Sequence, residues 1–85
     1  MKVKVLYFAR LREAIGLESE FIEFPGEKAS IAALLDVLRK RGGKWANEAG
    51  VDSGNRLAVN QQLAGLITPL HDGDEVAMFP PVTGG

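Results

Sequence analysis

Eighty-five residues make one small domain with a thin core and no room for a deep catalytic cleft. Ten Lys and Arg against eleven Asp and Glu leave a net charge of −1, which removes the electrostatic case for nucleic acid as a partner. There is no cysteine, hence no disulfide, thiolate metal site or Cys nucleophile, and the lack of a signal-like or ~20-residue apolar run points to a cytoplasmic chain with no membrane partner.

In chain order, Val3, Val5 and Tyr7 alternate with Lys2, Lys4, Leu6 and Phe8, the period-two pattern of a strand. Ala9 to Ile15 is rich in helix formers and stops at Gly16, which predicts a short helical turn. Phe21 to Phe24 is a second short strand, stopped by Pro25-Gly26 and expected to run antiparallel to the first. Ser30 has an N-cap side chain, and Ile31, Leu34, Leu35 and Leu38 follow it at helical spacing as one apolar stripe that belongs in the core. Lys40 and Arg41 suit the negative end of this main helix, and Gly42-Gly43 ends it.

Trp45 to Asn55 reads as a loop with room for one helical turn, Trp45 being an anchor against the core. Arg56 to Asn60 alternates again, with Leu57 and Val59 on one face. Asn60-Gln61-Gln62 is then a polar turn, and Leu63 to Ile67 is expected to hold a short edge strand. Pro69 to Asp74 reads as a turn, with Asp72-Gly73 supplying its positive-φ corner. Glu75 to Phe79 is the last strand, stopped by Pro80-Pro81. The sum is an α+β domain over residues 1–81, a mixed sheet with one main helix across one face, and a flexible tail over residues 82–85.

The polar features elsewhere are modest. His71 stands alone in a turn with no second His to build a metal site. Asp72, Asp74 and Glu75 lack the spacing of a calcium loop and are read as turn formers. Gly42-Gly43 lacks the spacing of a phosphate loop. Arg39-Lys40-Arg41 is a solvated helix end, with contact to an acidic partner as its lesser use. Neither a metal site nor a bound cofactor is expected.

Strand parity marks a surface. Phe8 shares a face with Lys2 and Lys4, and Phe79 shares one with Glu75, so two phenylalanines fall on the solvated side of the sheet. Leu63 is a third member, and the three are expected to form a partner-binding patch. The C-terminus is the other unusual feature. Pro80-Pro81 makes a stiff extended arm, and Val82-Thr83-Gly84-Gly85 follows it. Two residues without side chains let a backbone enter a slot too narrow for any Cβ. The reacting group at such an end is the α-carboxylate of Gly85, a poor electrophile until it is activated as a mixed anhydride with phosphate.

The segments Val3 to Glu13, Ala58-Val59-Asn60-Gln61 and Asp72 to Val76, and the ending Phe79-Pro80-Pro81-Val82-Thr83-Gly84-Gly85, resemble the small, sulfur-carrying subunits of molybdopterin synthase (MoaD type). The resemblance spans nearly the whole chain and is weakest from Gly42 to Asn55. It implies a ubiquitin-like β-grasp fold with the first and last strands side by side, which would join Phe8 to Phe79. It also implies that an ATP-dependent adenylyltransferase, similar to ubiquitin-activating enzymes, forms an acyl-adenylate on Gly85, and that a sulfur donor system converts this to a thiocarboxylate.

On the same resemblance, the large catalytic subunit receives the tail, with Phe8, Leu63, Phe79, Pro80, Pro81, Val82 and Thr83 as contacts and Gly84 and Gly85 at the reacting end. The sulfur builds the dithiolene of molybdopterin from cyclic pyranopterin monophosphate, in a heterotetramer of two small and two large subunits. The chain is then a cosubstrate without a catalytic site of its own. Two other readings share its features: a sulfur carrier for thiazole synthesis or tRNA thiolation, or a modifier joined to lysines. A third is a plain β-grasp interaction module with an inert tail.

Overall fold

The computed structural model describes residues 1–26, 28–50 and 53–81. Strand β1 (Lys2–Tyr7) leads into helix α1 (Arg10–Ile15), which Gly16 ends in the left-handed conformation at φ 83°. Strand β2 (Ser19–Glu23) returns antiparallel to β1, with Val3 opposite Ile22 and Leu6 opposite Ser19. The two-residue β3 (Ala29–Ser30) runs into helix α2 (Ile31–Arg39), whose N-cap Ser30 accepts a hydrogen bond from the Ala33 amide. Helix α3 (Lys44–Glu48), β4 (Arg56–Val59), β5 (Gln62–Ala64), β6 (Pro69–Leu70) and β7 (Glu75–Phe79) complete the order.

The main sheet is ordered β2-β1-β7-β4-β5. Its central strand β7 runs parallel to β1 and antiparallel to β4. One face carries the core. Val3, Val5, Tyr7, Val76 and Met78 are at most 1% exposed, and Ile31, Leu34 and Leu38 of α2 meet them with no exposed surface. The alternating and helical patterns in the sequence therefore both point inward onto one cluster.

The structure sharpens the sequence reading in two places and departs from it at Pro69-Leu70, each for a local reason. Asn60 (φ 48°) and Gln61 (φ 72°) form a two-residue hairpin with both corners at positive φ, so Gln62 already pairs with Val59 and the strand ends at Ala64. The short edge strand expected within Leu63 to Ile67 is thus β5, shifted one residue earlier, and it is followed by a tight turn from Gly65 to Thr68. Pro69-Leu70, expected within a turn, pairs with Ala29-Ser30 as a separate two-stranded sheet. The one helical turn for which the segment after Gly43 had room is α3, begun at Lys44, and Trp45 packs its ring edge-on against Tyr7 at 5.5 Å.

Candidate functional site

Among the described residues, no helix packs on the face of the sheet away from α2. Register aligns Leu6 with Ala77, Ala77 with Ala58 and Ala58 with Leu63, one apolar rung across four strands. The neighbouring rung begins where β1 ends. Tyr7 pairs with Met78 and the Phe8 amide donates to the Met78 carbonyl, which brings Phe8 beside Phe79. Arg56 lies across from Phe79 on the other side. Phe8 is 44% exposed, Leu63 72%, and Phe79 is partly buried.

Phe8 and Phe79, expected from parity, and Leu63, expected as a third member, thus fall on one face. Phe8 and Phe79 are neighbours, while Leu63 stands two strands away from Phe79 across the two alanines. Those alanines make the middle of the surface low, a shallow apolar trough between Leu63 and the phenylalanines. Sequence reasoning left Leu6, Ala58, Ala77 and Arg56 out of the patch. Ala58 had a signal available: it alternates with Leu57 and Val59, so it had to face the other way. It is 8% exposed and yet does not belong to the core cluster.

At the far edge of the same face, Phe21 is covered by two cations instead of by carbon. The ammonium groups of Lys2 and Lys4 lie 5.5 and 5.9 Å from its ring centroid. The arm that follows β7 begins with Pro80, partly buried, and Pro81, exposed. A Cβ placed on Gly54 would come within 3.8 Å of the Pro81 ring, so the arm leaves alongside Gly54. The calls on Val82, Thr83, Gly84 and Gly85 lie outside the described residues.

Polar groups on the other side of the molecule serve the fold. Tyr7 donates to Glu20 at 2.8 Å, and Arg41 grips both oxygens of Glu20 at 2.9 and 2.8 Å while its guanidinium lies 4.6 Å from the Trp45 ring centroid. Burial pushes the Tyr7 hydroxyl far up, and the hydrogen bond to Glu20 adds to it. Burial alone would raise the Glu20 carboxyl, but hydrogen bonds from Arg41 and Tyr7 outweigh it and hold it below the usual range. Asp74 behaves alike: burial raises it, and the His71 amide and the Asn60 side chain more than offset that.

Asp72 accepts from the Lys2 amide at 2.7 Å and Asp74 from the His71 amide at 2.8 Å, so these two shape the turn, while Glu75 opens β7. Among the described residues no three His, Cys, Asp or Glu side chains converge as a metal site. Among the described residues no helix is long and apolar enough to cross a membrane. A cavity of about 280 Å³ opens beside β5, floored by the buried Ile31, Leu35, Leu57 and Met78 and rimmed by the exposed Leu63 and Leu66.

Comparison with known proteins joins these features. The model of the ThiS family matches residues 5–85. The molybdopterin synthase sulfur carrier subunit of Escherichia coli is 42% identical over 84 residues, covering 98% of this chain and 99% of that protein. A solved structure from Pyrococcus furiosus, provisionally described as subunit 1 of a molybdopterin converting factor, superposes with a TM-score of 0.80 at 37% identity, over 96% of this chain and 99% of that one. A chain in the complex of subunits 1 and 2 of the molybdopterin-converting factor from Helicobacter pylori superposes at 0.69 with 30% identity, over 100% of both.

Proposed function

This chain belongs to the ThiS family, and from that premise we propose that it is the sulfur carrier subunit of a molybdopterin synthase. The large subunit is its partner and supplies the catalysis; this chain supplies the sulfur and holds no cofactor of its own. An activating adenylyltransferase couples the Gly85 carboxylate to AMP and releases pyrophosphate from ATP. Hydrosulfide from the donor system then attacks the acyl carbon and displaces AMP, which leaves a thiocarboxylate at the chain end. In the large subunit its sulfur passes to cyclic pyranopterin monophosphate, and the carboxylate returns when water takes the place of sulfur. The cytoplasm, where ATP is at hand, is the compartment this chemistry assigns.

One observation supports the reading above the others. Phe79 ends β7 on the apolar trough, and Pro80 is the next residue, so the docking surface and the arm are consecutive on one strand. A partner that covers the trough therefore receives the arm in a fixed direction, with little ordering left to pay for. The reacting end tests this directly. Deleting Gly85, or adding one residue after it, is expected to abolish the oxygen-to-sulfur exchange seen by intact mass after incubation with ATP, activating enzyme and sulfur donor. Gly84→Val is expected to lower the same exchange sharply while unfolding free energy moves by less than about 0.5 kcal/mol. Normal loading on an extended chain would rule the mechanism out.

A further inference from the structure

The turn from Gly65 to Thr68 is built of the wrong residues for its position. Leu66 and Ile67 occupy its two corners, where Gly, Asn, Asp and Pro usually stand. Ile67 is 92% exposed and Leu66 47%. The turn is rigid all the same. The Thr68 amide donates to the Gly65 carbonyl at 3.1 Å, and the Gly65 amide donates to Thr68 Oγ1 at 2.9 Å.

Two further hydrogen bonds tie the turn to the start of α2. The Ile31 amide donates to the Thr68 carbonyl and the Ala32 amide to the Leu66 carbonyl, at 3.0 and 2.9 Å. These satisfy amides that the first turn of a helix leaves without partners. The backbone of the turn is therefore committed to the fold, while its two aliphatic side chains contribute little to it. An apolar knob held this way loses little entropy on docking.

We propose that this turn is a second anchor for the large subunit, reached around the β5 edge from the trough. The inference rests on the functional reading above. Continuity supplies the occupant: Leu63 belongs to the trough and, together with Leu66, to the rim of the cavity beside β5. Area supplies the need. A stable interface takes about 800 Å² from each partner, and beside the arm the open face offers only Phe8, Leu63, Phe79 and two alanines toward that. The adjoining apolar surface is the one formed by Leu66 and Ile67.

The test is calorimetric titration of the purified large subunit with four untagged chains: wild type, Ile67→Asp, Ile67→Val and Phe79→Ala. Ile67→Asp is expected to lose about tenfold or more in affinity with an unchanged melting temperature, since the hydrogen bonds of the turn do not involve its side chain. Ile67→Val is expected to stay within roughly threefold of wild type. Wild-type affinity for Ile67→Asp, with Phe79→Ala weakened, overturns the second anchor and leaves the functional reading standing. A wild-type chain that does not bind the large subunit overturns both. Sedimentation of the free chain covers the remaining occupant: self-association that Ile67→Asp abolishes would assign the knob to a second copy and overturn the proposal.

Discussion

Ala9 adopts φ 54° and ψ −134°, a conformation that suits the first corner of a type II′ turn and favours glycine. The same geometry recurs at Gly43, φ 56° and ψ −130°, before α3. The chain thus makes one bend twice, once with the residue that bends freely and once without it. At Ala9 the bend turns the chain from Phe8 into α1, so the strain sits directly behind the patch. Ala9→Gly is expected to raise the unfolding free energy by about 0.5–1 kcal/mol, after allowance for the greater freedom glycine gives the unfolded chain. Urea unfolding measures it, and a loss of stability would mean that the bend costs alanine nothing. This strain was not legible in the sequence, because Ala9 sits in a run of good helix formers. The N-cap at Ser30 and the left-handed stop at Gly16 were legible, since those side chains, or their absence, fit few other roles.

At the scale of elements, the Tyr7–Glu20–Arg41–Trp45 cluster fastens β1, β2, α3 and the residues just past α2 to one another. The Glu20 carboxyl titrates lower in the folded chain than in the unfolded one. Its stabilisation is therefore complete above the unfolded carboxylate range, about pH 4–5, and is lost as pH falls through the folded value. Glu20→Gln is expected to cost about 1–2 kcal/mol at neutral pH, a charged hydrogen-bond loss discounted for partial exposure. The gap between wild type and variant should close on acidification, and melting temperatures across a pH series would show it. A constant gap would mean that packing, not charge, holds the cluster. Pairing between distant short segments was the least legible feature: Ala29-Ser30 with Pro69-Leu70 is a two-residue ladder, too short to show any period. The stripe on α2 was plain, because four leucine and isoleucine positions repeat at 3.6-residue spacing.

For the whole molecule, the sheet separates two kinds of apolar residue by face. Those on the α2 side hold the fold, and those on the open side, outside the core cluster, are the ones proposed to meet a partner. Phe79→Ala is expected to weaken binding of the large subunit about thirtyfold, with only a small fall in melting temperature. A core phenylalanine would instead lose roughly 3–5 kcal/mol of fold stability. Binding calorimetry and thermal unfolding of the same variant separate the cases, and unfolding without a change in affinity would move Phe79 to the core side. Parity found Phe8 and Phe79, since large residues on a charged face stand out, and Leu63 joined them from its place just beyond the polar turn. The trough between them stayed hidden, because alanine carries no mark of which surface it serves.

Strand β7 is the last made and stands in the middle of the sheet. A nascent chain stopped before Glu75 owns two hairpin halves, β1 with β2 and β4 with β5, and nothing between them. The sheet cannot close without the strand that leads into the arm. A chain cut before Glu75 lacks both the strand that joins its two hairpins and the residues Ala77 and Phe79 that complete the apolar face. The last strand made is thus the keystone of the fold and of its open surface at once.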